Sequence, residues 1–216
     1  MISLFLDTSS KKLVVGLVKD NEVISLVEKE TVNDHSKYLV PIIDEELTKN
    51  NLNIKDINKI YVISGPGSFT GTRIAVTVAK TLSYALNIPV KSVSALKQYV
   101  FEYENNDYYA VILNEKNDKA YFGLYDKDYN EVIPEEYTSM DKIEEKLTSI
   151  QGKLLIITDG EYTSSNRITE MKLNLIKLIN YYKDKEDNSF NIKPSYLKKI
   201  DVEDKLWLKK SLITIF

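Results

Sequence analysis

Three groups of residues in this chain have types and spacing that bear on chemistry. The first is Asp7-Thr-Ser-Ser10, a carboxylate followed by three hydroxyls. The second is Gly65-Pro-Gly-Ser-Phe-Thr-Gly-Thr-Arg73, which holds three of only seven glycines. Exposed main-chain N–H groups at a glycine-rich strand-to-helix junction, with the helix dipole behind them, can hold an anion. The run is not a Walker A loop, because Thr70 stands where its second glycine belongs and no lysine follows Gly71. A tight turn that aims the following helix is the preferred reading of Gly65, Pro66, Gly67 and Gly71. The third is His35, the single histidine, at a predicted helix start where capping or packing is its usual work. With one histidine and no cysteine, the chain has no disulfide, no thiolate zinc site and no multi-histidine metal site. A nucleophilic triad would have to draw on Ser or Thr around His35. The carboxylate runs Asp44-Glu45-Glu46 and Glu135-Glu136 read as solvated faces with nothing nearby to raise a pKa. No metal, no cofactor and no catalytic residue is expected.

The composition bounds the partners. In 216 residues, 43% are apolar and 28% charged, and 29 basic side chains face 32 acidic ones for a net charge of −3. That balance excludes a disordered polyelectrolyte and argues against a dedicated nucleic-acid binder. The apolar stretches Leu13–Val18 and Leu154–Ile157 are far too short to span a membrane. Met1-Ile-Ser-Leu-Phe-Leu-Asp7 lacks the basic start and cleavage site of a signal peptide, so a cytoplasmic location is the expectation.

The elements that must position these groups follow from pattern. Strands are predicted at Ile2–Leu6, Leu13–Val18 and Val23–Glu28. A helix capped by Asn33 or Asp34 follows, with Leu39, Ile42, Ile43 and Leu47 at three- and four-residue spacing. Ile60–Ile63 is a strand that runs into the glycine-rich segment, and a second helix covers roughly Thr72–Leu86. Ile74, Val78, Leu82 and Ala85 line one face of that helix, while Ala75, Val76 and Ala79 extend well around it. A helix apolar on more than one side is buried on more than one side. The second surface meets either another chain or the chain's own second domain. Strands are predicted again at Tyr109–Leu113, Ala120–Tyr125 and Glu131–Tyr137, then a helix over Met140–Leu147 and a strand over Leu154–Thr158. A long helix carrying Ile168, Met171, Leu175, Leu178, Ile179 and Tyr182 on one face follows. Tyr181–Ser189 is predicted as a solvated loop.

Two successive β-β-β-α-β-α units imply an α/β protein of two like-folded domains, residues 1–100 and 101–216. Each is a mixed sheet of about five strands flanked by helices. That element order is the plan of actin, Hsp70 and sugar kinases, the actin-like (ASKHA, ribonuclease-H-like) fold. Its nucleotide-binding members place an acid and a following glycine near phosphate and metal. Asp7 is present here and the glycine is not, so a hydrogen-bonded Asp7–Thr8 turn is preferred. No two glycines are adjacent, and Asn114-Glu-Lys-Asn-Asp118 contains none, which argues against ATP in the cleft.

The segment Gly65–Arg73, with Leu6-Asp-Thr-Ser9 and His35-Ser-Lys-Tyr-Leu-Val-Pro41, closely resembles the TsaB (YeaZ-like) family of tRNA threonylcarbamoyladenosine biosynthesis proteins. The similarity continues through Ala79-Lys80, Asn87-Ile-Pro89 and Ser92-Val-Ser-Ala-Leu96. It extends more loosely to Tyr121-Phe-Gly-Leu-Tyr125, Asp159-Gly160 and Pro194-Ser-Tyr-Leu-Lys198. The resemblance implies a non-catalytic subunit that pairs with a TsaD-like catalytic relative and helps recruit the TsaE-like ATPase. Together they form threonylcarbamoyladenosine (t6A) at position 37 of tRNAs reading ANN codons, and tRNA is met only through the complex. The relative's His-x-x-x-His metal positions fall here on Ala95 and Tyr99. The family pairs through its first two helices, which map onto His35–Lys49 and Thr72–Leu86. Leu39, Ile43, Val76, Ala79, Lys80 and Tyr84 are the implied contacts, and two copies of this chain could pair through the same helices. The second domain departs from the family's acidic-Ala-Arg run at Asn114-Glu115-Lys116, which puts a role for those positions in doubt. The alternative function is a small ATP-dependent kinase or ATPase of the actin-like fold, disfavoured by the missing double glycines. A peptidase activity, historically attached to the superfamily's name, finds no nucleophile, metal site or acid pair to support it.

Overall fold

The computed structural model describes residues 1–31, 34–164 and 166–198. Ile2–Asp7 (β1), Lys12–Lys19 (β2) and Glu22–Glu30 (β3) form an antiparallel meander, joined by polar turns at residues 8–11 and 20–21. The chain then forms helix His35–Lys49 (α1), strand Lys59–Ile63 (β4), helix Phe69–Leu86 (α2) and strand Val90–Val93 (β5). β4 lies parallel to β1 and β5 parallel to β4, giving a sheet ordered β3-β2-β1-β4-β5. β1 and β4 are apolar along nearly their whole length because both faces of the sheet are covered.

The second half repeats this arrangement. Tyr108–Asn114 (β6), Lys119–Asp126 (β7) and Glu131–Ser139 (β8) form a second meander. Met140–Thr148 (α3), Leu154–Thr158 (β9), Arg167–Glu170 (β10) and Leu175–Tyr182 (α4) complete it, with sheet order β10-β9-β6-β7-β8. The two five-stranded mixed sheets are therefore topological copies, as the element order implied. Among the described residues no helix is long and apolar enough to cross a membrane.

Three cores hold these layers. α1 and α2 cover one face of the first sheet, with Leu4, Leu6, Val15, Leu39, Ile43, Val76 and Ala79 in one cluster. α3 covers one face of the second sheet through Ile143 and Leu147. The remaining faces share a third core, where Phe5, Tyr61 and Ile63 meet Tyr109, Val111 and Tyr125 through α4 and residues 95–101.

The structure corrects several sequence expectations. Ile168 is not helical: Arg167–Glu170 pairs in parallel with Leu155–Thr158 as an edge strand, and the following helix is only eight residues long. Asn174 ends the break by capping that helix, its side chain accepting from Lys177 N. α2 begins at Phe69, three residues before the predicted start, because the Ser68 hydroxyl accepts from Gly71 N and caps it there. α1 has Asp34 at its N-cap without a side-chain cap bond, and Asn33 lies outside the described residues. Residues 201–216 of the expected second domain also lie outside them.

Tyr181–Ser189 is no free loop. Tyr182 sits in the shared core, and Asp187 accepts from Lys91 Nζ (2.8 Å), Ser92 N (2.7 Å) and Ser92 Oγ (2.6 Å) on β5. Burial raises the Asp187 carboxyl, but these donors outweigh it and hold the group below its usual range. From the first domain, the buried Lys59 ammonium donates to the carbonyls of Tyr182 (3.0 Å), Lys183 (2.8 Å) and Lys185 (2.8 Å). Tyr182 and Lys183 end α4 and Lys185 lies just past it; at a helix C-terminus the acceptors lack helical partners and the dipole favours a cation. Lys59→Met is expected to lower stability by roughly 2–3 kcal/mol, since charge-assisted bonds to buried acceptors are lost. Urea unfolding followed by far-UV circular dichroism measures this.

Candidate functional site

The Gly65–Gly71 turn and the Asp7–Ser10 loop lie against each other at the carboxyl ends of β1 and β4. Their contact explains the glycines. A Cβ on Gly71 would stand 1.9 Å from the Thr8 carbonyl oxygen, and one on Gly67 would stand 2.3 Å from that of Ser9. Gly67 also has φ +152°, a conformation L side chains rarely adopt. Hydrogen bonds tie the same two loops together. Ser68 N donates to Ser9 O (2.6 Å), and Thr8 Oγ1 donates to Gly71 O (2.6 Å).

Further bonds lie within the turn itself. Gly71 N donates to Ser68 Oγ (3.1 Å) and Thr72 N to Ser68 O (2.9 Å). These bonds cap α2 and fix the direction in which it leaves the sheet. Asp7 is likewise engaged inside the turn: Oδ1 accepts from Ser9 N (2.7 Å) and Oδ2 from Gln98 Nε2 (3.1 Å). Burial pushes its carboxyl above the usual value, against those hydrogen bonds. His35 is buried as well. Its Nε2 donates to Ser10 O (2.9 Å), a carbonyl that can only accept, and Nδ1 faces the Thr31 hydroxyl. Both ring nitrogens are occupied, so the geometry leaves no free lone pair for a base.

These residues line a cleft of about 1540 Å³ between the two sheets. On the far wall Asn114 N and Nδ2 donate to Asp159 Oδ1 (2.8 and 3.0 Å), and Nδ2 also reaches Thr158 Oγ1 (2.9 Å). Carboxylates dominate the lining, with Asp7, Glu28, Glu30, Glu115, Asp159 and Glu170 against Lys11 and Lys12. Lys12 is already paired with Glu28 at 3.0 Å. Such a field disfavours a polyphosphate. Among the described residues no three His, Asp or Glu side chains are grouped so as to hold a metal.

The carboxylate runs are corrected in part. Glu46 is buried under α1, where Lys49 and Ser25 donate to it and hold it below its usual range. Glu135 accepts from Tyr125 Oη (2.6 Å), and burial pushes it up. Neither was legible, because each is made by a partner from another strand.

The six residues implied as partner contacts divide sharply. Leu39, Ile43, Val76 and Ala79 are sealed in the chain's own core beneath α1 and α2. They support the helix pair from within and offer no surface. Lys80 is half-buried and Tyr84 exposed. The outward side of the pair carries Val40 and Pro41 on α1, with the half-buried Ile74 and Val78 and the exposed Ala85 on α2. Ile74, Val78 and Ala85 belong to the apolar face recognised in the sequence; Ile74 and Val78 lie at the edge of the core and Ala85 is exposed, while the smaller Ala75, Val76 and Ala79 point in. Among the described residues no second domain sandwiches α2 there.

Two measurements follow. Gly71→Ala should lower stability by about 3 kcal/mol through the clash with Thr8, whereas a glycine-to-alanine change inside a helix normally gains about 1 kcal/mol. Thermal unfolding reads the sign. For Asp7 the folded state holds a proton that the unfolded chain releases, so stability falls as pH rises above the usual 3.8 toward the raised folded value. The stability difference between Asp7→Asn and the wild type should therefore move in the variant's favour as pH rises from about 4 to 7.

Comparison with known proteins agrees with this geometry. The family model described as "TsaD: tRNA N6-adenosine threonylcarbamoyltransferase" matches residues 26–179. The tRNA threonylcarbamoyladenosine biosynthesis protein TsaB of Buchnera aphidicola subsp. Acyrthosiphon pisum is 29% identical over 188 residues, 83% of this chain and 84% of that one. TsaB of Buchnera aphidicola subsp. Schizaphis graminum is 30% identical over 74% of this chain and 79% of its own. The solved structure of YeaZ from Pseudomonas aeruginosa superposes with a TM-score of 0.75 over 91% of this chain and 99% of that chain, at 19% identity, which speaks for the shared fold. This chain belongs to the TsaB (YeaZ-like) family of tRNA threonylcarbamoyladenosine biosynthesis proteins and has its actin-like fold.

Proposed function

We propose that this chain is the non-catalytic, activating subunit of a cytoplasmic complex that forms t6A at position 37 of tRNAs reading ANN codons. In this reading it pairs with a TsaD-like catalytic subunit of the same fold through α1 and α2, and the assembled pair recruits a TsaE-like ATPase. The observation that carries the reading is the outward side of the helix pair. Val40 is 55% exposed, and beside it the half-buried Ile74 and Val78 and the exposed Ala85 form an apolar row along α2 at the edge of the core. Apolar ridges of this kind pack into the grooves of another helix pair, and a lasting contact of this class buries about 1,500 Å² or more. The cleft supports the same division of labour: Asp7 is engaged by Ser9 and Gln98, both nitrogens of its histidine are engaged, and carboxylates dominate its lining. Without the partner, two copies of this chain would pair through the same side, because a surface shaped for a like-folded relative fits itself.

Val40→Asp and Val78→Asp test the reading. Each should keep the wild-type circular dichroism spectrum and melting profile within a few degrees, because the side chains lie outside or at the edge of the core. Each should also abolish co-purification with the TsaD-like subunit. Folded variants that still co-purify normally would remove the docking assignment. Tight binding of Mg-ATP to the isolated chain in a calorimetric titration would favour the kinase or ATPase reading instead.

A further inference from the structure

Beside the apolar stripe, the adjoining side of α2 carries a second surface of different character. Phe69, Tyr84, Phe190 and Tyr196 are 44, 70, 69 and 47% exposed. They come from two segments far apart in sequence. Residues 188–198 return along α2 in the opposite sense, so Tyr196 stacks near the helix start and Phe190 near its end. The Phe69 and Tyr196 ring centroids are 5.0 Å apart, and those of Tyr84 and Phe190 are 5.4 Å apart. Cations are interleaved with the rings. The Arg73 guanidinium lies 3.6 Å from the Phe69 centroid and donates from Nε to Tyr196 Oη (2.7 Å), while Lys80 Nζ donates to Phe190 O (3.1 Å). From Phe69 to Tyr84 the ridge is about 22 Å long, the length of about six stacked nucleotides at 3.4 Å each.

Its charge departs from that of the whole chain. Residues 57–101 and 188–198 contain no Asp or Glu, although the chain carries 32 of them and a net charge of −3. At the average density the first stretch alone would hold about seven. Among the described residues neither Arg73 nor Lys80 has a carboxylate partner. The low overall charge therefore conceals one local strip where two cations without carboxylate partners, Arg73 and Lys80, are held among partly exposed aromatic rings. Rings that stack bases, set among cations that meet phosphates, are the means by which proteins hold unpaired nucleic acid, and RNA is read mainly where its bases are unstacked.

We propose that this ridge is a stacking platform for single-stranded RNA, and that in the modification complex it holds unpaired nucleotides of the tRNA anticodon arm. The naming of the tRNA arm rests on the function proposed above; the preference for unpaired RNA rests on the ridge alone. The proposal gives Lys80 and Tyr84 to RNA and leaves the protein contact to the neighbouring stripe.

The experiment uses the full chain, free and bound to the TsaD-like subunit, with fluorescently labelled RNAs: an anticodon stem-loop, an unstructured strand of about ten nucleotides, and a blunt duplex. The stem-loop and the unstructured strand should bind, and the duplex at least tenfold more weakly. Tyr84→Ala and Phe190→Ala should each weaken binding on the order of tenfold. Lys80→Gln should reduce the slope of log affinity against log salt by about 0.7, the loss of one phosphate contact. All three variants should melt like the wild type and still co-purify with the partner. Equal affinity for duplex, no loss on removing the rings, or loss of the protein partner in place of RNA would overturn the platform. If Val40→Asp leaves pairing intact while the ring variants lose RNA, the docking reading fails and the platform stands.

Discussion

Two carbonyl oxygens organise the first domain of this protein. Those of Thr8 and Ser9 occupy the space where Gly71 and Gly67 would otherwise carry a Cβ. A helix can begin that close to a neighbouring loop only if its first turn lacks side chains on that side. The contact fixes where α2 starts and how it leaves the sheet. It also brings Ser68 N onto Ser9 O and Gly71 N onto Ser68 Oγ, so the same geometry that positions the helix also caps it. One constraint thus shapes both the cleft wall and the direction of the helix that leaves it.

The second organising feature is the return of the chain to its beginning. α4 fills the space between the two sheets, and the segment after it runs back over β5 and along α2. Lys59 and Asp187 hold the start of that path, one through an ammonium on three carbonyls and the other through a carboxylate on three donors. Charged groups this well satisfied fix geometry, because any displacement leaves a desolvated charge without its partners. The path brings Phe190 and Tyr196 against α2 and so completes a surface that neither segment has by itself. An acidic protein in this way acquires a strip that is locally cationic and aromatic.

The cleft shows the reverse. Its residue types could have been assembled for chemistry, with a buried aspartate, a histidine, hydroxyls and glycine-bearing loops. Their hydrogen bonds instead point at one another. Asp7 answers Ser9 and Gln98, His35 answers Ser10 and Thr31, and Asn114 answers Asp159. Polar groups satisfied internally stiffen the walls, and a mostly acidic lining sets the field within them.

Much of this was legible in the residues alone. Short apolar runs such as Leu13–Val18, bounded by polar turns, located the meanders. The repeated element order implied two like sheets, and the clash of Gly65–Gly71 with any regular element marked the turn. Those signals are local, carried by residues within a few positions of one another. What only the folded chain decided depends on contacts between distant positions. Arg167–Glu170 became a strand because β9 offered it an edge, which outweighed a helical spacing. Leu39, Ile43, Val76 and Ala79 faced inward while Ile74 and Val78 took the edge of the core, because an apolar stripe shows that a helix has two sides without saying which one the sheet will cover. Glu46, Glu135 and Asp187 took their environments from strands up to 96 residues away. Burial and pairing are properties of place, and place is settled by packing across the whole chain.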